Sequence, residues 1–262
     1  MNKLLTFSVL LLLAPLHLYS QGDIDEQQRI FYRNERTVGL SLNSNGFGIS
    51  YREGKRLDFS NKRLVDIDLD IIKDPREIKL VNPYVMSGSS FIYGKINNVF
   101  SLRAGIGHQH ELFRKQDLGG VAIRYFYSGG PVLVFTKPIY YNVLYPSIGG
   151  TYEIRQEKFT ETVQPGDIYS KASFFKGISE VGIIPGVFAK GGFNFEYSKE
   201  DKVIHAIEVG ASFQAFPKKI PIMANDNNRS LFLTLFVSYR LGVIIDPLNP
   251  GSTKIPTRFF RK

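Results

Sequence analysis

The chain has 262 residues, with 33 Lys and Arg against 24 Asp and Glu, which gives a formal charge of +9. It contains no cysteine, which excludes disulfide bonds and thiolate chemistry at a metal or redox centre. The basic residues are spread over segments of alternating polarity and do not cluster on a helix. This distribution argues against a nucleic-acid-binding protein.

The first twenty residues have the pattern of a cleaved secretory signal. Lys3 supplies a positive charge, residues 4–13 form an apolar run, and Ser20 is a small residue at the expected cleavage position. The run is too short for a membrane-spanning helix. We therefore predict a signal peptide over 1–20, export of the mature chain, and a polar periplasmic lead-in over 21–35.

From residue 36 to residue 242, apolar and polar side chains alternate with the period of two that is typical of β-strands. Most of these segments span roughly 9 to 14 residues, which suits a strand tilted across a membrane; soluble strands average about 5 or 6. An Asn45-Gly46 turn predicts a hairpin at the start, and Ser128-Gly129-Gly130-Pro131 predicts another turn. The predicted strands cover residues 37–43, 47–52, 63–72, 97–110, 120–127, 131–141, 187–197, 203–214 and 231–240.

Three segments lack this alternation. Residues 73–96 and 143–183 form two long connections between strands, and connections of this length are often functional. Residues 243–262 contain three prolines, which predicts an extended C-terminal tail.

The predicted strand over 187–197 has two different faces, and the sheet could be oriented in either of two ways. One face carries Phe193, Phe195 and Tyr197, and the other carries Lys190 and Glu196. A soluble sandwich would bury the apolar face, whereas a membrane barrel turns it to lipid and turns the charges to the lumen. Export and strand length favour the barrel. Aromatic residues near strand ends suggest interfacial girdles; these are Tyr51, Tyr125, Tyr127, Tyr140, Tyr141, Tyr197 and Phe216.

The predicted fold is thus all-β, an antiparallel transmembrane β-barrel of about eight strands over 36–242, with ten strands possible. An eight-stranded barrel is filled by its own side chains and has no open channel. Ten charged residues on the polar faces are predicted to form a lumen charge cluster; they are Arg52, Asp66, Asp68, Asp70, Arg103, Arg124, Lys190, Glu196, Glu208 and Arg240.

The three aspartates of this cluster alternate along one strand. Alternate residues of a strand lie about 6.5 to 7 Å apart, too far for a straight strand to wrap a calcium ion. Buried acids need cationic partners, and the basic members of the cluster are available on other strands. We therefore expect ion pairs across the lumen rather than a metal site.

Two other candidate sites have weaker support. His108 and His110 have the spacing of two ligands on one strand face, but a metal site needs further ligands. Ser44 lies in a segment similar to the serine segment of outer-membrane phospholipases, but Leu42 occupies the position of the activating histidine. The sequence therefore predicts no catalytic residue, no metal site and no cofactor.

Several stretches resemble small outer-membrane β-barrels of Bacteroidota-type bacteria, and the resemblance extends over most of the mature chain. They are Tyr19-Ser20-Gln21-Gly22, residues 93–98 and residues 124–130. The resemblance implies a location and a fold and carries no catalytic residues. Barrels of this kind often end on an aromatic residue that closes the last strand, whereas here about twenty residues follow Gly242.

These observations predict a plugged outer-membrane barrel without enzymatic activity, which serves as a structural or accessory subunit. We expect its long connections or its tail to contact a protein partner in the outer membrane or periplasm. Its basic residues are expected to meet outer-membrane lipid or lipopolysaccharide phosphates. Two alternatives remain, a narrow channel or transporter for small solutes and a lipid-modifying enzyme that uses Ser44 or His108 and His110.

Overall fold

The computed structural model describes residues 34–85, 88–115, 120–147, 151–197, 203–225 and 227–245. The predicted signal peptide, the lead-in up to residue 33 and the tail after residue 245 lie outside the described residues. Within the described ranges, no helix is long and apolar enough to cross a membrane.

Thirteen β-strands are numbered here in chain order. Their bounds are β1 Asn34–Asn43, β2 Gly46–Arg56, β3 Asn61–Ile72, β4 Lys79–Leu80, β5 Phe91–Ile92, β6 Asn97–Phe113, β7 Ala122–Pro138, β8 Tyr140–Pro146, β9 Tyr152–Lys158, β10 Ile168–Lys171, β11 Gly182–Glu196, β12 Val203–Ala215 and β13 Leu231–Ile245.

Eight of these strands close into a barrel in the order β1-β13-β12-β11-β7-β6-β3-β2. All neighbours in the barrel pair antiparallel. The predicted eight-stranded antiparallel barrel is therefore confirmed, and the count of ten is wrong. The predicted turn at 128–131 is also wrong, because β7 runs through these residues and pairs with β11 from Ala122 to Thr136.

The barrel has an apolar outside and a polar inside. On β3, Val65, Ile67 and Leu69 are exposed, while the aspartates between them are buried. The same alternation on β13 exposes Leu233 and Leu235 and buries Thr234. Because a soluble sandwich would bury the apolar face, this polarity is that of a barrel surrounded by lipid.

The two ends of the barrel differ in their connections. At the short-turn end, residues 57–60, 114–121 and 197–202 join consecutive barrel strands, and Asn34 and Ile245 lie at this end too. At the long-loop end, the connections are the 44–45 turn and residues 73–96, 139–181 and 216–230.

The long loops fold into a cap on their end of the barrel. The cap contains the β4–β5 hairpin and a three-stranded sheet in the order β10-β8-β9. Its core consists of Phe91, Ile139, Tyr141, Val143, Val163 and Ile168. Tyr141 was predicted to lie in an interfacial girdle, but it is buried there. Its Oη lies 2.7 Å from Ile92 O and 2.6 Å from Lys95 O.

The connection between β12 and β13 packs into the mouth of the barrel below the cap. Its apolar side chains, which we call the plug, are Phe216, Ile220, Ile222 and Met223. They contact inward-facing residues at the long-loop ends of the strands, among them Val99, Val134 and Phe188. Phe216 is therefore a buried plug residue and not the girdle residue that its position near a strand end suggested.

Candidate functional site

The middle of the lumen contains the three aspartates of β3 and their cationic partners. Strand register places Asp66 directly opposite Arg52 and Asp68 directly opposite Arg103. Arg52 Nε lies 2.5 Å from Asp66 Oδ1, and Arg103 Nη2 lies 3.2 Å from Asp68 Oδ2. Arg103 also forms an ion pair with Asp70. Neighbouring strands therefore supply the first layer of charge compensation.

A second layer of ion pairs crosses the lumen. Lys190 of β11 reaches Asp68 of β3, with Nζ 3.1 Å from Oδ2, although two other strands lie between them. Arg52 of β2 pairs with Glu208 of β12 in the same way. Because these side chains span the barrel from wall to wall, they fill its cross-section.

Glu208 joins three side chains in the middle of the lumen. Its side chain is fully buried and accepts from Arg52, from Arg240 Nε at 2.7 Å and from Asn194 Nδ2 at 2.9 Å. Arg240 also donates to the hydroxyls of Thr37 and Ser50, each at 3.0 Å. The cluster of Asp66, Asp68, Asp70, Glu208, Arg52, Arg103, Lys190 and Arg240 thus contains four anions and four cations.

Aromatic rings fill the space between the charges. Arg52 Cζ lies 4.5 Å from the centre of the Phe126 ring, and Lys190 Nζ lies 5.1 Å from that of Phe236. Such cation–π contacts stabilise a cation that has left bulk water. Glycines make room for these large groups, since a Cβ on Gly105 would lie 2.6 Å from Phe188 Cζ.

A separate group of charges lies near the short-turn end. Arg124 Nη1 lies 2.6 Å from Glu196 Oε2 and 3.8 Å from Glu35 Oε1, while Lys62 pairs with Glu35. Glu111 lies 3.9 Å from Arg124 Nε. Two of the ten predicted lumen residues, Arg124 and Glu196, therefore belong to this group rather than to the central one.

Sequence reasoning missed Glu35, Lys62 and Glu111, each of which points inward. Lys62 and Glu111 are in phase with the buried residues of β3 and β6, so extension of the alternation to the strand ends could have found them. Glu35 was assigned to the lead-in, but β1 begins at Asn34 and places it in the lumen.

In this arrangement the charged side chains of the lumen compensate one another. Opposite charges are paired across the lumen, the plug closes one end, and the Arg124 group occupies the other. In the part of the chain that the structure describes, no three His, Asp or Glu side chains are grouped as a metal ion would require.

The remaining sequence candidates occupy structural positions. His110 Nδ1 lies 2.7 Å from Asn61 Oδ1 and its ring stacks near Tyr125, while His108 lies beside Tyr127. Both histidines thus belong to an aromatic belt near the short-turn end. Ser44 hydrogen-bonds the backbone of Leu235 and links the first hairpin to β13.

The cap presents an exposed surface of mixed character. Tyr84 is 85% exposed, and Ile78, Val81 and Tyr152 are also exposed. β9 lies at the edge of its sheet and pairs with β8 on one side. A shallow depression of about 460 Å³ is lined by Arg76, Lys219, Asn227, Asn228 and Arg229.

No protein-family model and no curated protein matches the chain. It is similar to the solved structure of Neisserial surface protein A, at 10% identity and a TM-score of 0.36 over 81% of this chain and 96% of that one. It is similar to Ail, the attachment invasion locus protein of Yersinia pestis, solved with the heparin analogue sucrose octasulfate, at 7% identity and a TM-score of 0.36 over 82% and 99%. The N-terminal β-barrel domain of Pseudomonas aeruginosa OprF is similar at 7% identity and a TM-score of 0.34 over 82% and 98%.

The architecture itself decides the class of protein. An even number of antiparallel strands, a closed sheet, an apolar outer wall and a polar interior are together typical of bacterial outer-membrane proteins. The chain is an outer-membrane-type β-barrel. In such barrels the short turns are periplasmic and the long loops are extracellular, so we expect the cap of this outer-membrane barrel on the outer face.

Proposed function

We propose that the protein is a closed, non-enzymatic outer-membrane barrel, exported by its signal peptide, that presents the cap to a protein partner as a structural or accessory subunit. The observation that carries the proposal is the contrast between a lumen closed by paired charges and a cap with exposed apolar side chains. A protein whose lumen is filled has its outer surface left for function, and exposed apolar patches mark interaction sites.

The partner surface combines the two long connections named by the sequence. Residues 73–96 contribute Ile78, Val81 and Tyr84, and residues 143–183 contribute Tyr152 and Ile154 on β9. The available edge of β9 offers backbone donors and acceptors to an extended segment of another protein. Because this surface belongs to the cap, the partner we propose is a protein of the outer membrane or one exposed at the cell surface.

Site-specific photo-crosslinking in native membranes tests this role. A photoreactive residue at Tyr84 or Tyr152 is expected to capture one recurrent protein, which mass spectrometry of the pull-down identifies. The matched control places the same residue at Leu57 in the turn at the short-turn end, where the cap partner should not be captured. Recovery of the protein alone at both cap positions would contradict the accessory role.

A narrow channel is the second candidate, and the ion pairs that cross the lumen disfavour it. Conduction requires sites that an ion can enter and leave, whereas Lys190 and Arg52 are held by acids on the opposite wall. Reconstitution in a planar bilayer is expected to show no discrete conductance steps. Reproducible single-channel steps would replace the closed-barrel proposal with the channel.

A further inference from the structure

One segment of the cap descends onto the outer wall of the barrel. Phe174 lies on Phe100, with ring centres 6.4 Å apart and planes at 89°. Phe100 occupies the outward face of β6, where it pairs in register with Phe135 of β7, which in turn pairs with Ile183 of β11. The next residue, Phe175, is 77% exposed. The segment therefore adds two aromatic rings to the lipid-facing wall at the upper rim of the barrel.

Lysines surround these aromatic rings. Lys137, at an outward position of β7, is only 4% exposed because Phe174 covers it, and its Nζ lies 4.7 Å from the centre of that ring. Lys158 and Lys176 lie 5.7 and 5.3 Å from the ring centre of Tyr140. Lys171 of β10 pairs in register with Tyr141, the residue next to Tyr140. Four lysines thus converge on one rim of the barrel.

The acidic residue within this group is already engaged. Glu180 pairs with Lys158 and accepts a hydrogen bond from Tyr140 Oη at 2.6 Å. Its charge therefore compensates Lys158 and leaves the group with a strong excess of positive charge. Lys171 and Lys176 are both solvent-exposed, so they are available to an anion that approaches from the outer side.

We propose that residues 171–180, together with Tyr140, bind the phosphorylated headgroup of an outer-leaflet lipid, with its acyl chains along Phe100, Phe175 and Ile183. The apolar wall, the aromatic rim and the lysines above it follow the order of a lipid from its tails to its phosphates. Only a ligand that is amphipathic and anionic satisfies both halves of the site. The inference rests on the outer-membrane location proposed above and not on a protein partner.

Lipid selectivity in reconstituted bilayers tests the site. The folded protein is placed in phosphatidylcholine nanodiscs that contain a small fraction of lipid A or of its dephosphorylated form, and retained lipid is counted by native mass spectrometry. The wild-type barrel is expected to retain the phosphorylated lipid in preference. Each lysine near a surface contributes about a fivefold change in anionic lipid affinity, so Lys171→Gln with Lys176→Gln should reduce retention roughly 25-fold.

The chain offers a charge-matched control at other parts of the barrel. Lys73→Gln with Lys55→Gln removes the same charge, and Lys73 likewise lies over an exposed ring, that of Phe47 at 5.5 Å. This pair is expected to change retention less than about twofold, because Lys55 lies at the short-turn end and Lys73 directly follows β3, so that neither belongs to residues 171–180. Phe175→Ser should weaken retention of both lipid forms without a change in their ratio.

Three results would overturn the site. They are equal retention of phosphorylated and dephosphorylated lipid, equal losses in the two double variants, and full competition by inorganic phosphate at a matched concentration, which would indicate an anion site without lipid. If crosslinking finds no protein partner, lipid retention is still expected. If the protein is not a membrane barrel, it does not insert into the nanodisc, and this result is seen separately.

Discussion

Truncation of Glu208 provides the most direct test of the charge-filled lumen. The Glu208→Ala variant loses its ion pairs to Arg52 and Arg240 and its hydrogen bond from Asn194. Arg52 keeps Asp66, whereas Arg240 keeps only neutral hydroxyl acceptors. The central cluster then has four cations and three anions in a buried site.

Removal of one partner from a buried ion pair costs about 3 to 5 kcal/mol, because the other charge stays buried without compensation. We expect a loss near the upper part of that range for Glu208→Ala. A double variant, Glu208→Ala with Arg240→Met, should be more stable than the sum of the two single effects predicts, by about 1 to 3 kcal/mol. The excess measures the cost of the orphaned guanidinium.

Urea unfolding in lipid vesicles, followed by circular dichroism, measures these free energies. The control is Glu53→Ala, which breaks the exposed pair with Arg36 on the outer wall and should cost less than about 1 kcal/mol. If Glu208→Ala costs no more than this control, or if the double variant equals the sum of the single ones, then the lumen is hydrated and its charges are screened.

Three further predictions concern other parts of the molecule. Gly105→Ala places a methyl group against Phe188 and should destabilise the barrel by about 1 to 3 kcal/mol in the same assay. Gly191→Ala, whose Cβ meets its nearest atom at 3.4 Å, should not, and equal effects would contradict the tight lumen. Burial, and secondarily the charge of Glu77, raises the pKa of Tyr141. The neutral phenol therefore contributes its full stabilisation to the cap below about pH 10, the pKa of an unfolded tyrosine. This contribution is lost as the pH rises through the pKa of the folded state. Absorbance at the tyrosinate band should therefore show one fewer late-titrating tyrosine in Tyr141→Phe, and an unchanged titration would refute the buried phenol. Finally, the wild-type barrel should show no conductance steps in a planar bilayer at neutral pH, and regular steps would show that the plug and the ion pairs leave a passage.

The sequence was sufficient to predict the barrel because the alternation of side-chain polarity and the length that a membrane requires can be recognised in each strand separately. The inward phase of Asp66, Arg103 and Lys190 follows from the residues beside them, and so does the outward phase of Phe193. Antiparallel pairing of consecutive strands then requires only short connections. This is why the fold could be predicted from a single chain, whereas the strand number was left between eight and ten.

The cap and the plug could not be predicted because neither follows a period. β9 carries Glu153, Arg155 and Glu157 in a segment of long irregular connections, which resembles a solvated loop. The plug segment contains Pro217 and Pro221, which indicate turns, and its burial depends on a cavity that eight distant strands create. The same limit explains why Tyr141 and Phe216 were assigned to a girdle.

The ion pairs across the lumen impose an order on assembly. Lys190 and Asp68 are separated by 122 residues and meet only when the sheet that runs from β3 through β6 and β7 to β11 has curled. Before closure, each of these charges would enter hydrocarbon alone, at a cost of about 2 to 4 kcal/mol for a Lys or Arg near the bilayer centre. This cost disfavours insertion of such strands one after another. We therefore expect the chain to curl its polar face inward before its middle reaches the lipid, so that closure and insertion of this barrel occur together.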